Sequence, residues 1–333
     1  MFIEISSRNP YFDNLKFILI FLMVLGHFAF ENRTIPIFNG ICNSIYAFHM
    51  PLFIFISGYF SKSIIQQRKS DISSLLIPYL IFEFIHFGFT NITGLGHGHL
   101  QFTFPTYQDW YLLSLFTWRL IIPYFGQLNK SFAISVSIIA ALCAGFVNNF
   151  NEFLSLYRSI YLLPFFVLGY YSIDIQAILN KLKAYRLVFN VLFFTLAIII
   201  FYSTISSNSL GQALSYAFIP NSGYSENIND LYLRSFSLVF SSLYAFLFLF
   251  IIPQKRTFFT KFGENTMTVY LTHIFFIWIL ISIMGPYKPI YSELIGIVFS
   301  LGITLLLSSN LLTKLLSPFC NPVSLFKNKS YKK

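Results

Sequence analysis

Residues 15–30 read LKFILIFLMVLGHFAF, a run in which only Lys16, Gly26 and His27 are not apolar. Extended by its polar flank Asp13-Asn14, such a run is long enough to cross a bilayer as a helix, given some tilt or thinning. It has no small-residue cleavage site and is followed at once by further apolar stretches, so it reads as a retained first helix rather than a removed leader. Those stretches lie near 41–60, 75–89, 107–125, 132–147, 157–172, 187–205, 231–252, 266–284 and 291–312. The expectation is an all-α integral membrane protein of about ten transmembrane helices.

Composition agrees. The 333 residues are 56% hydrophobic and 10% charged, whereas a soluble domain carries about 25% charged residues. Little chain is left for a separate soluble unit, so residues 1–333 read as one membrane domain, with a core at 10–312 and a basic tail at 313–333. The net charge of +10 is spread in short clusters between the apolar runs. That is a topology signal rather than the continuous basic face that nucleic acid requires. With the N-terminus inside, seventeen of the 22 basic residues fall on the cytoplasmic side. Arg33, Arg158, Arg234 and Lys288 fall outside, and Arg119 lies within a span. Both termini are therefore expected in the cytoplasm, the protein in the cell membrane, and the tail against lipid headgroups. Cys42, Cys143 and Cys320 are far apart and form no CxxC pair, which gives no sign of a disulfide framework or metal site. Residues 90–106 hold no Lys or Arg; their Gly96-His97-Gly98-His99 reads as a flexible loop rather than a metal tract. The polar stretch 206–230 is a candidate for contacts outside the membrane.

Ionisable groups inside spans are costly and mark functional cavities, or else satisfied packing contacts. Here they are Asp13, Lys16, His27, His49, Glu83, His86, Arg119 and His273. At about 100° per residue, Asp13, Lys16 and His27 share one face of the first helix, with His27 about 16 Å beyond Lys16. A cation near the inner surface suits an anionic cytosolic donor, and an imidazole deeper in suits proton transfer. The plain alternative is an Asp13–Lys16 pair at the helix start and a hydrogen-bonded His27. Pro51, two residues after His49, is expected to break its helix and free carbonyls beside that histidine. Ser57 and Gly58 suit close helix approach. Glu83 and His86, one turn apart, could pair with each other. Arg119 could snorkel to headgroups or hold phosphate. His273 reads as a second cavity histidine or the partner of a tyrosine. There is no Walker loop, Rossmann fingerprint, HExxH or Gly-x-Ser-x-Gly elbow.

Taken together, these residues resemble a known family. Asp13-Asn14-Leu15-Lys16 followed by Val24-Leu25-Gly26-His27 is similar to the opening of the membrane-bound acyltransferase-3 family. Phe48-His49-Met50-Pro51-Leu52-Phe53-Ile54-Phe55-Ile56-Ser57-Gly58-Tyr59 resembles its second-helix signature. Asp109-Trp110-Tyr111-Leu112 and Phe262-Gly263-Glu264-Asn265-Thr266-Met267-Thr268-Val269-Tyr270-Leu271-Thr272-His273 resemble its middle and late motifs, and the combination is most similar to the fucose 4-O-acetylase-like branch. The resemblance implies O-acetylation: an acetyl group from cytoplasmic acetyl-CoA passes to a hydroxyl of a surface polysaccharide or its lipid-linked precursor, with no permanently bound cofactor. His27 would be the general base or a covalent relay. His49 and Asn43 would orient the acceptor or stabilise the oxyanion, and Lys16 and Arg119 would hold the donor, with Asp13, Glu83 and His273 as further binding residues. Many relatives carry Arg where this chain has Lys16, which keeps the charge and loses bidentate phosphate geometry. A transporter or flippase, or a non-catalytic partner in polysaccharide assembly, is the alternative; the first would show paired broken helices or internal symmetry.

Overall fold

The computed structural model describes residues 8–62, 71–147, 153–206, 229–285 and 291–322. Among the described residues every regular element is helical. The α-helices are α1 (Pro10–Glu31), α2 (Pro36–Tyr46), α3 (His49–Tyr59), α4 (Ile77–Thr93), α5 (Trp110–Phe125), α6 (Lys130–Cys143), α7 (Leu156–Tyr171), α8 (Ile175–Lys181), α9 (Arg186–Ile205), α10 (Asn229–Phe248), α11 (Thr266–Met284), α12 (Ser292–Leu307) and α13 (Asn310–Cys320). The protein is an all-helical integral membrane protein. By length and apolar content seven segments can each cross a bilayer, or eight if α12 and α13, bent by 74° between them, form one broken span. All ten apolar runs coincide with helices; the difference in number lies in α5 and α6, which are only 16 and 14 residues long. Most of the polar stretch 206–230, and residues 323–333 of the basic tail, lie outside the described residues.

α1 is the hub. Its apolar stretch is 72% buried, against 17% for α9, which turns Leu187, Val188, Val191, Phe194 and Ile198 outward. A helix apolar all round and mostly exposed is explained by lipid on its outer face. The start of α1 is set locally: Asn9 caps it, accepting from Tyr11 N at 3.0 Å, and Pro10 occupies the first turn, where no amide partner is required.

One turn in, Asn14 is fully buried and holds the far end of the chain. Its Nδ2 donates to the carbonyls of Pro253 and Lys255 (2.8 and 2.9 Å), and its Oδ1 accepts from Thr257 and Thr260 (3.0 and 2.7 Å). A Cβ on Gly263 would strike the Asp13 carbonyl, so this turn lies directly on the α1 backbone. Asn14→Leu removes all four bonds and leaves the buried Thr260 hydroxyl and two part-buried carbonyls without this partner. It is expected to destabilise the protein by about 3 kcal/mol, since each orphaned buried group costs about 1–3 kcal/mol, read as a lower midpoint in detergent thermal unfolding.

The run 41–60 is divided at Ala47-Phe48 into α2 and α3. Pro51 thereby falls in the first turn of α3, where its missing N–H does no harm. At the break the Ile45 carbonyl accepts from Phe48 N at 3.2 Å, and His49 Nδ1 meets the same oxygen at 3.0 Å. The helix does break beside the proline, but the Ile45 carbonyl next to His49 is not left free: it accepts from the Phe48 amide as well as from the imidazole.

Candidate active site

At the end of the bundle where α1 terminates lies a cavity of about 340 Å³. α1 brings Met23, His27 and Phe30 to it; α2 brings Tyr46; α3 brings His49, Met50 and Pro51. α5 adds Trp110 and Tyr111, α7 adds Arg158, Tyr161, Leu162 and Phe165, α10 adds Ser237 and Ser241, and α11 adds Tyr270. The segment after α4 supplies a roof of His97, His99, Pro105, Tyr107 and Gln108.

His27 is at the centre. Its Nδ1 lies 2.7 Å from Nε2 of His273, and the two rings stack at 5.0 Å with 14° between their planes. His27 retains some exposure to the cavity, while His273 is fully buried behind it. Tyr107 packs edge-on to His27 at 5.2 Å and Tyr46 at 6.3 Å. His49 lies beside Tyr46, with ring centroids 4.9 Å apart. Because His49 Nδ1 donates to the Ile45 carbonyl, its neutral ring offers Nε2 as an acceptor only. It suits holding a hydroxyl and does not suit stabilising an oxyanion.

The roof is fastened rather than loose. Glu83 accepts from Thr106 N at 2.7 Å and from Thr106 Oγ1 at 2.8 Å. Tyr270 Oη donates to the Gln108 carbonyl, and Tyr79 Oη to that of Phe102 at 2.6 Å. Gly96 takes φ +77° against the Trp278 ring, where a side chain would not fit. Tyr107, fixed between Thr106 and Gln108, adopts φ +49°, an uncommon conformation for a bulky residue and one that recurs at functional sites. The loop expected to be flexible is thus a built wall, because its backbone groups are met by side chains of α4 and α11.

Several expected assignments change. Glu83 and His86 do not pair: Glu83 is taken by Thr106, whereas His86 Nε2 lies 3.3 Å from Gln108 Nε2 and 3.4 Å from Asp109 Oδ2. One turn of spacing put them on one face, but the roof segment came between them. Asn43 does not line the cavity; its amide bonds the Asn39 carbonyl and side chain at 2.9 and 3.0 Å. Asp13 is buried, with Arg8 at 2.8 Å and Lys16 at 3.3 Å, which is the helix-start pair. Arg119 is paired with Asp71 at 2.6 Å. α1 ends at the cavity and α5 begins there, so Lys16 lies about 10 Å along α1 from Met23 and Arg119 about 12 Å along α5 from Tyr111, the nearest lining residues on their helices. Neither lines the cavity.

Tyr46, Tyr107 and Arg158 carry no direct site signal in the sequence, and Trp110 and Tyr270 stand inside the family-like motifs without a role of their own. Tyr46 was legible in principle, being three residues before His49 on a helical face. Tyr107 and Arg158 belong to segments whose return to the cavity only the tertiary fold determines.

A helical membrane bundle that encloses a polar-centred aromatic chamber, with a histidine pair at its wall, has the form of a membrane-embedded enzyme. Residues 9–309 match the acyltransferase-3 family, described as an acyltransferase domain, and the chain belongs to that family. It is also 30% identical over 189 residues to the nodulation protein NolL of Sinorhizobium fredii, a match covering 50% of this chain. The chain spans about half the length of that curated relative, 49%. No solved structure matches it.

Proposed function

We propose that the protein is an O-acetyltransferase of the cell membrane, acting from acetyl-CoA on a carbohydrate hydroxyl of a surface polysaccharide or its lipid-linked precursor. The observation that supports this best is the position of His27, on the wall of an aromatic chamber with a second histidine behind it. Aromatic faces such as Tyr46, Tyr107 and Trp110 suit the apolar face of a sugar ring, and Ser237, Ser241 and Arg158 suit its polar rim.

In the reaction His27 removes the proton of the acceptor hydroxyl as its oxygen attacks the thioester carbonyl. The C–O bond forms, the C–S bond breaks, and the departing thiolate takes the proton from the imidazolium. The products are the sugar ester and free CoA thiol. His49 holds the acceptor through Nε2. Both termini are placed in the cytoplasm on the charge asymmetry of the loops, with Lys16 and the neighbouring basic segments facing the anionic donor.

The test is the O-acetyl content of surface polysaccharide, by proton NMR, in cells with and without the gene. Loss of the acetyl signal with unchanged polymer amount is the expected result. Unchanged acetylation with less surface polymer would instead point to transport or assembly.

A further inference from the structure

Two backbone carbonyls decide where the protons of the histidine pair reside. His273 Nδ1 lies 2.9 Å from both Val269 O and Tyr270 O. A carbonyl oxygen can only accept, so His273 Nδ1 carries a hydrogen, and in the neutral ring Nε2 keeps its lone pair. That lone pair faces His27 Nδ1 at 2.7 Å, so His27 Nδ1 must be the donor. The remaining nitrogen, His27 Nε2, is left bare on the free edge of a ring whose other edge is bound to His273. A charged His273 would reverse this order. Among the described residues, however, no carboxylate is hydrogen-bonded to either ring, and an unpaired buried cation is costly.

We infer that His273 is a positioning residue that fixes His27 in its Nδ1–H tautomer and so presents Nε2 as the base. This rests on the acyltransferase reading above. His273 itself does not line the cavity, and the His27 ring stands between it and the acceptor. The arrangement follows the general logic of a base oriented by a third group, here an imidazole anchored on main-chain carbonyls instead of a carboxylate. When His27 Nε2 takes the acceptor proton, the hydrogen bond from its Nδ1–H to His273 Nε2 becomes charge-assisted and holds the imidazolium in place until the thiolate is protonated. α11 builds this device locally: in a helix the carbonyls three and four residues back lie beneath the side chain.

The test compares His273→Gln, whose side-chain oxygen can accept from His27 Nδ1, with His273→Phe, which fills the space and accepts nothing. In purified protein with acetyl-CoA and acceptor, His273→Phe is expected to lower kcat at least about 100-fold, the low end for a general base. KM for the acceptor should stay within about threefold, because the lost interaction is made in the transition state. His273→Gln should remain within about tenfold of wild type, since it restores the acceptor that orients the base. Labelling of His27 by diethyl pyrocarbonate, read by mass spectrometry, gives a second readout independent of turnover. A bare imidazole nitrogen attacks a carbonyl of the reagent, so labelling should be fast in wild type and His273→Gln and slowed in His273→Phe. Equal kcat and labelling in all three proteins would overturn the inference. So would a folded His273→Gln as inactive as His273→Phe, which would mean that ring shape matters and the acceptor does not. If wild type transfers no acyl group, the functional reading fails, and the labelling series still decides the tautomer. Should His273→Phe not accumulate, His273→Met, flexible and without a strong acceptor, replaces it.

Discussion

Membranes containing His27→Ala are expected to transfer acetyl from labelled acetyl-CoA about 1,000-fold more slowly than wild type at equal protein level. That figure lies within the 10²–10⁴-fold range that a positioned general base contributes. The protein should still accumulate. His27 lies at the cavity wall rather than in the sealed core, so water entering the enlarged chamber can meet the exposed His273 Nε2. The double variant His27→Ala/His273→Phe should be no slower than His27→Ala alone. Residues acting as one unit are grossly non-additive, and a positioning residue has nothing to position once the base is gone. A His27→Ala protein retaining a tenth or more of wild-type transfer would remove His27 from the chemistry.

How much of this was legible beforehand depends on the range of the interaction. The membrane class was written in the apolar runs, and so were the helix-start pairing of Asp13 with Lys16 and the break near Pro51. Each is a local matter of periodicity, charge or a missing amide donor. His27, His49 and His273 stood out because ionisable groups inside apolar runs are rare. What sequence could not supply was which of these groups meet. His27 and His273 are 246 residues apart, and nothing local distinguishes a hydrogen-bonded pair from two satisfied histidines. The same limit misplaced Glu83. Helical spacing offered His86 as its neighbour, whereas a roof segment 23 residues further on supplied the Thr106 amide and hydroxyl. In the sequence only family likeness marks the motif around Gly263; its physical role, lying on the Asp13 backbone beneath the Asn14 hydrogen bonds, depends on the packed fold.

Gly58 and Gly169 carry the second large effect. α3 and α7 cross in backbone contact: a Cβ on Gly58 would fall inside the Phe166 carbonyl, and one on Gly169 inside the carbonyl of Phe55. Small residues let membrane helices approach until main-chain atoms touch, and such contacts replace the hydrophobic drive that lipid removes. The opposing atoms are backbone rather than flexible side-chain ends, so neither helix can yield without moving as a body. Gly169→Ala is therefore expected to destabilise the protein by about 3 kcal/mol, the upper part of the range for overpacking. Gly88→Ala, in α4, is the matched control, because its added Cβ meets nothing within 4 Å. It should be neutral or stabilising by up to about 1 kcal/mol through helix propensity alone. Thermal unfolding of the two variants in the same detergent would separate them; equal midpoints would show that the α3–α7 crossing can relax. The crossing also bears on activity. α3 carries His49, Met50 and Pro51, and α7 carries Tyr161, Leu162 and Phe165, to facing walls of the chamber. Gly169→Ala protein that survives extraction should accordingly bind the proposed acceptor more weakly, with KM rising further than kcat falls, because the His27–His273 pair on α1 and α11 is left in place while the facing chamber wall has moved.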